Sequence, residues 1–220
     1  MKSIKLSLSL ALIATMAFAE EKTSDIGMSA NMSITSNYVW RGMTQSHNSA
    51  AVQGGVDLDY KGLYVGVWGS NVDFSDDKNS LEADVYAGYT GELEGIGFDI
   101  GAIQYIYPNM SDEYNFAEVY FGLSKEWEKF GLSAKYSVGV DTDDLDPEDY
   151  WEVGASVKLP YDIGFAASYG DYDNIGTNYS VGLNKSFEKF DLSVAYIDFN
   201  HDTDSSSDED NVVATLSFSF

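Results

Sequence analysis

Alternation of apolar and polar residues, repeated along almost the whole chain, is the sequence feature that most limits the fold. From Met28 to Trp40 the even positions are mostly apolar or aromatic, and the odd positions as far as Asn37 are polar. A period of two indicates a β-strand with one apolar face. Similar segments recur to the C-terminus and predict twelve strands: 28–40, 51–60, 62–72, 81–90, 96–107, 114–127, 131–140, 150–159, 163–170, 178–187, 191–199 and 211–220.

The connections between these segments alternate in length. The long, mostly acidic ones are 41–50, 73–80, 108–113, 141–149, 171–177 and 200–210, and the short ones are 61–62, 91–95, 128–130, 160–162 and 188–190. A soluble β-sandwich would also have alternating strands, but it has no reason for this ordering of loops. An even strand count with long outer loops and tight periplasmic turns is typical of outer-membrane proteins. We therefore predict an all-β fold, a transmembrane antiparallel β-barrel of about 12 strands.

The N-terminus predicts export. Lys2 and Lys5 precede an apolar run, and Ala17-Phe18-Ala19 fits the cleavage pattern of a secretory signal peptide. We expect residues 1–19 to be a cleaved signal peptide, 20–27 a short periplasmic tail and 28–220 a barrel in the bacterial outer membrane.

Composition removes several classes of function. The formal net charge of −24 repels phosphate backbones, so no nucleic-acid partner is expected. Cysteine is absent, and His47 and His201 are the only histidines, both in long loops. We expect no catalytic residues, no metal site and no cofactor, with a loop-based hydrolase as the weakest alternative. The acidic loops lack the spacing of an EF-hand.

The chain ends, from Val212 to Phe220, in alternating apolar residues and a terminal Phe. This ending is similar to the C-terminal signal of bacterial outer-membrane proteins, so the expected partners are the assembly machinery, outer-membrane lipid and lipopolysaccharide. Aromatic residues near the strand ends predict two interfacial rings. The outer ring is expected to contain Tyr38, Trp40, Tyr107, Trp151 and Tyr169, and the inner ring Tyr60, Tyr89, Trp127, Tyr161 and Phe187.

Polar positions on the inner strand faces are the candidate pore lining. They are Asn37, Arg41, Gln53, Asp57, Glu82, Asp84, Asp99, Glu118, Lys135 and Glu152. Twelve strands fall between small barrels filled by side chains and large barrels with an aqueous channel. We predict passive diffusion of small polar solutes, with anions disfavoured by the carboxylates. The alternative is a non-conducting barrel whose acidic surface loops serve binding or envelope integrity.

The first hairpin holds two further hypotheses. Arg41, the single arginine of the chain, either pairs with nearby acids at the pore mouth or anchors the rim. Asn37, Arg41, Gln53 and Asp57 are expected on adjacent inner faces, as a hydrogen-bonded cluster or as a brace for this hairpin.

Several motifs resemble the TorF family of porins. They are Ser36–Gly42 (SNYVWRG), Gln45-Ser46, Val52–Asp57 (VQGGVD), Gly62–Tyr64 (GLY), Trp68–Asp73 (WGSNVD), Tyr105–Pro108 (YIYP) and Asn115–Tyr120 (NFAEVY). The resemblance covers most of the mature chain and is strongest over 30–125. It implies an outer-membrane porin, with uptake of trimethylamine N-oxide as the role proposed for the namesake.

Overall fold

Twelve antiparallel strands close into a barrel in the computed structural model, which describes residues 26–74, 81–108, 110, 114–141 and 146–220. The predicted signal peptide and most of the predicted periplasmic tail lie outside the described residues. The strands are β1 Gly27–Thr35, β2 Val39–Trp40, β3 Met43–Thr44, β4 Ala51–Tyr60, β5 Leu63–Ser70, β6 Glu82–Leu93, β7 Ile96–Ile106, β8 Phe116–Glu126, β9 Phe130–Gly139, β10 Tyr150–Leu159, β11 Ile163–Tyr172, β12 Gly176–Ser186, β13 Asp191–His201 and β14 Glu209–Ser219.

The barrel consists of β1 and β4 to β14, each paired with its neighbour in the chain, and β1 with β14 closes the ring. Ser33 of β1, for example, lies opposite Gln53 of β4 on one side and Ser217 of β14 on the other. Closure leaves no strand edge unpaired, as a lipid environment requires. The prediction of an all-β barrel with twelve strands is confirmed. Within the described residues, no helix is long and apolar enough to cross a membrane.

The alternation sorts side chains between the two faces of the barrel wall. On β7, Ile100 points outward and is 54% exposed, whereas Asp99 points inward and is 5% exposed. Large apolar residues are exposed in the same way on the other barrel strands, including Val65, Leu132 and Val194. An apolar outer belt around a polar interior is the pattern of a transmembrane barrel, because lipid is the solvent of the outer face.

Two predicted segments differ in kind from the observed ones. The segment 28–40 is not one strand, because β1 ends at Thr35, whose hydroxyl donates a hydrogen bond to the carbonyl of Asn37 (2.9 Å) as the chain turns inward. The long connection predicted at 171–177 is short, because β11 and β12 continue their pairing as far as Tyr172 and Gly176. Parts of the predicted loops 73–80, 108–113 and 141–149 lie outside the described residues.

Candidate functional site

The connection between β1 and β4, residues 36–50, enters the barrel and is called the inserted segment below. It contains the small hairpin β2–β3, in which Val39 lies opposite Thr44 and Trp40 opposite Met43. The two turn residues, Arg41 and Gly42, both have positive φ, at 49° and 92°. Positive φ at both central positions gives the tight turn whose twist matches that of the flanking strands.

The tip of the hairpin is pressed against the barrel wall. A Cβ atom at Gly42 would lie 2.8 Å from the Cβ atoms of both Asn178 on β12 and Phe199 on β13. Only glycine meets both the positive φ and this close approach without displacing its neighbours. The turn residue therefore fixes how deeply the hairpin crosses the lumen.

Asn37 ties the base of the inserted segment together and joins it to the last strand. Its Nδ2 donates to Oδ1 of Asn211 on β14 (2.9 Å) and to Oδ1 of Asn48 (3.0 Å). Its Oδ1 accepts from the hydroxyls of Thr44 (2.7 Å) and Ser46 (3.0 Å). All of these bonds surround one amide that is 6% exposed, so the conformation of the base is strongly specified.

Apolar contacts hold the inserted segment against the strands on both sides of β1. Val39 forms a buried cluster with three residues of β13 and β14: Ala195, Ile197 and Val213. Tyr38 forms a second cluster on the other side with Ala51 and Val72, against which Trp40, Trp68 and Tyr107 pack. These contacts lie on the walls that flank β1, and Arg41 makes the contact with the opposite wall through Glu118 on β8.

Arg41 lies at the centre of this arrangement in an aromatic and acidic cage. Its Nη2 donates to Oε2 of Glu118 on β8 at 2.7 Å, and the two side chains are 7% and 1% exposed. The guanidinium carbon lies 4.2 Å from the ring centroids of both Trp40 and Tyr150, and 4.8 Å from that of Tyr172. Burial lowers the pKa of Arg41, but the Glu118 carboxylate together with Tyr105 and Tyr172 raises it overall, so the guanidinium stays charged.

Trp40 completes the cage. Its ring makes edge-to-face contacts with Tyr105 (5.8 Å between centroids), Phe116 (6.2 Å) and Tyr172 (5.7 Å). Such geometry places the positive ring edge against a negative ring face and adds to the area buried. The prediction that Tyr38, Trp40 and Tyr107 belong to an outer lipid-facing ring is therefore wrong, because all three side chains pack inside the barrel. Trp151 and Tyr169 do face outward, 5.7 Å apart.

Tyrosine hydroxyls satisfy most carboxylates along the rest of the lumen. Tyr86 donates to Asp57 (2.5 Å), Tyr64 donates to Asp99 (2.8 Å), and Tyr150 donates to Glu152 (3.3 Å). Lys135 supplies a positive charge, with Nζ 4.0 Å from the ring centroid of Tyr120. This part of the barrel interior is lined by polar side chains with an excess of carboxylates.

Glu82 and Asp84 are neighbours on the inner face of β6, and each is 1% exposed. Tyr38 of the inserted segment donates to Oε1 of Glu82 at 2.9 Å. Burial, followed by the nearby Glu82 and Asp84 carboxylates, raises the pKa of Tyr38 well above its usual value, so its hydroxyl remains a donor.

All ten predicted lumen residues lie on the inner side of the wall, although their contact with a passing solute stays a prediction. Asn37 and Arg41 belong to the inserted segment rather than to a barrel strand. The predicted cluster of Asn37, Arg41, Gln53 and Asp57 does not form: Gln53 accepts from Ser33 (3.2 Å), and the other three bind the different partners described above. The cage residues Trp40, Tyr105, Phe116, Tyr150 and Tyr172 were not predicted, because their partner Arg41 reaches them only through the inward turn.

Within the described ranges, no group of three or more His, Asp or Glu side chains is placed to hold a metal ion. His201 uses its Nδ1 to accept the backbone amides of Thr203 (3.2 Å) and Asp204 (3.1 Å). It therefore organises the loop that follows β13.

Comparison with known proteins agrees with the fold. The sequence profile of a family described as "Bacterial protein of unknown function (Gcw_chp)" matches residues 19–220. No match is found among curated proteins. The KdgM porin superposes with a TM-score of 0.61 at 10% identity, over 87% of this chain and 99% of that chain. The NanC porin gives 0.58 at 12% identity, over 87% and 99%.

An enzyme shares this architecture as well. The outer membrane phospholipase of Salmonella typhi superposes with a TM-score of 0.56 at 12% identity, over 86% of this chain and 90% of that chain. At such identities the likeness describes the fold, which is that of outer-membrane barrels.

Proposed function

We propose that this chain is a narrow outer-membrane channel for small polar solutes. The chain belongs to the bacterial family of unknown function Gcw_chp, so the proposal is argued from the structure of the barrel. The observation that supports this proposal is the inserted segment: a closed barrel has a polar interior, and residues 36–50 enter it. The porin fold of the structural neighbours supports it. Solutes would pass by diffusion, without covalent chemistry.

The charges of the lumen give the channel a preference for cations. Inward-facing carboxylates such as Asp57, Asp99 and Glu152 outnumber the cationic side chains of Lys135 and Arg41. Rings of acidic side chains favour cations in a narrow pore, since the field is poorly screened there. Anions are therefore disfavoured.

Planar-bilayer recording of the refolded mature protein tests the channel. We expect small, discrete current steps and, under a salt gradient, a reversal potential on the cation-selective side. The variant Asp99→Asn should shift the reversal potential toward zero. Absence of steps from a demonstrably folded barrel would contradict the proposal.

A closed barrel is the second candidate function, and one observation favours it. The inserted segment has buried contacts on opposite walls, through Val39 with β13 and β14 and through Arg41 with Glu118 on β8, and can seal the lumen. In that case the wild type does not conduct and the acidic outer loops carry the function, so that loop deletion gives an envelope phenotype while conductance stays absent.

The TorF resemblance adds a solute to the first proposal. We propose trimethylamine N-oxide as a test solute, supported by the motifs at 36–42 and 52–57. Liposome swelling compares its entry with that of an uncharged solute of similar size. Equal entry rates for the two solutes would indicate a channel that has no preference for trimethylamine N-oxide.

A further inference from the structure

We propose that Glu82 and Asp84 bind a hard divalent cation, such as Ca²⁺ or Mg²⁺, inside the barrel beside the inserted segment. The two carboxylates stand two residues apart on β6 and therefore project from the same face of the strand. The proposal concerns cation binding and does not depend on whether the barrel conducts.

Unsatisfied oxygen atoms point to the ligand. Both side chains are 1% exposed, yet Oε2 of Glu82 and both carboxylate oxygens of Asp84 have no hydrogen-bond partner within the described part of the chain. Other lumen carboxylates, such as Asp57 and Asp99, have a tyrosine donor, as Glu82 does at Oε1, whereas Asp84 has none among the described residues. Two buried negative charges with free oxygens are costly unless something neutralises them.

Protein cations do not supply this neutralisation. Arg41 is paired with Glu118, and the ammonium group of Lys135 lies over the ring of Tyr120. Neither Glu82 nor Asp84 forms a salt bridge with a described residue. A bound cation compensates both carboxylates at once.

The free oxygens also fit the coordination of such an ion. Tyr38 donates to Oε1 of Glu82 and Tyr107 also bonds to this carboxylate, so Asp84, with both of its oxygens free, offers the main ligand atoms beside Oε2 of Glu82. Hard divalent cations take carboxylate oxygens in monodentate or bidentate fashion, and Mg²⁺ is commonly held by one or two carboxylates with water completing its shell. The charges of the pair and the ion match.

The aromatic surroundings provide a spectroscopic test. Trp68 on β5 lies directly opposite Asp84 across the strand pair, so a Tb³⁺ ion at the carboxylates would be excited through the indole. We expect the refolded barrel in detergent to show saturable Tb³⁺ luminescence that Ca²⁺ displaces. Titration calorimetry with Ca²⁺ and with Mg²⁺ alone should give a single class of site.

Matched variants locate the site. Asp84→Asn and Glu82→Gln should each weaken Ca²⁺ binding by about tenfold to a hundredfold, as when a group that supports a metal site is lost. Asp57→Asn, a lumen carboxylate that already has a tyrosine donor, should bind as the wild type does. Asp204→Asn serves as the control for the outer loops, and Trp68→Phe should lose the luminescence but keep the heat of binding.

Two results would overturn the proposal. One is a folded wild type without saturable binding of Ca²⁺ or Mg²⁺, which would mean that a proton shared by the pair neutralises it. The other is binding that survives both Asp84→Asn and Glu82→Gln, which would place the ion elsewhere. Because the first measurement uses the wild type, poor folding of one variant does not remove the test.

Discussion

The Arg41–Glu118 ion pair should hold the inserted segment in the lumen, and the variant Arg41→Met tests this. The substitution keeps an unbranched apolar side chain among Trp40, Tyr150 and Tyr172 but leaves Glu118 buried without its cation. Oε1 of Glu118 already has no partner among the described residues, and Oε2 would keep only the long contact from the Tyr105 hydroxyl at 3.4 Å.

The structure sets the size of the effect. Removing one partner of a buried ion pair costs about 3–5 kcal/mol, and the lost cation–π contacts add about 0.5–2 kcal/mol. Because each 1.4 kcal/mol changes an equilibrium constant about tenfold, release of the inserted segment should become at least about a hundredfold more favourable. The double variant Arg41→Met with Glu118→Gln removes the orphaned charge and should recover part of the loss.

Two measurements report the release of the inserted segment from the lumen. Single-channel recording should show larger or more frequent openings for Arg41→Met than for the wild type, and amide hydrogen exchange of Val39 and Thr44 should become faster. Lys158→Met is the matched control, because it removes a positive charge at the end of β10 that is remote from Tyr150 and the Arg41 cage. Unchanged conductance together with unchanged exchange would refute the view that this ion pair holds the segment in place.

Three further predictions concern the turn, the lipid face and the outer loop. Gly42→Ala should make insertion of the hairpin into the barrel less favourable by about 1–3 kcal/mol and accelerate amide exchange in the hairpin. Gly95→Ala is the control and should leave that exchange unchanged, because Gly95 also has a positive φ of 76° but open space around it. Ile100→Arg, on the lipid face, should lower the free energy of unfolding in lipid by about 2–4 kcal/mol, measured by urea titration; an unchanged value would contradict the assigned face. Hydrogen bonds from Ser206 lower the pKa of Asp204, so this cap is intact above the usual aspartate pKa and is lost as the pH falls through the lower folded value. Protection of the Ser206 amide, corrected for the intrinsic pH dependence of exchange, should therefore fall only in acid below the usual aspartate pKa, and protection that does not fall there would count against the cap.

Most of the barrel could be predicted from the sequence because its environment imposes a period of two. β4 and β10 have the predicted bounds, since each separates a lipid face from a lumen face along its full length. The error at 36–40 has a physical cause: the residues of the inserted hairpin also alternate, and Tyr38 and Trp40 suit a lipid interface as well as an aromatic interior. Local pattern cannot distinguish these two apolar surroundings.

The candidate site was predicted as a set of inward-facing residues but not as a set of contacts. Inward positions follow from the alternation of side chains between the two faces of a strand, which the sequence shows directly. Partners such as Glu118 for Arg41 depend on how far the chain turns into the lumen. A signal was present in the pair Arg41-Gly42, because a glycine after a bulky residue between two short alternating stretches is typical of a tight hairpin turn.

The contacts between the inserted segment and β14 have a consequence for the order of assembly. Asn37 binds Asn211, and the Thr44 amide donates to Glu209. Both partners lie on β14, the last described strand, which closes the ring against β1. Contacts so distant in the chain form late, because closing a long loop costs entropy before the contact is gained. The lumen therefore narrows only when the ring closes. A barrel arrested before that step makes the membrane more permeable than the finished protein does, and more permeable than a membrane that lacks the protein.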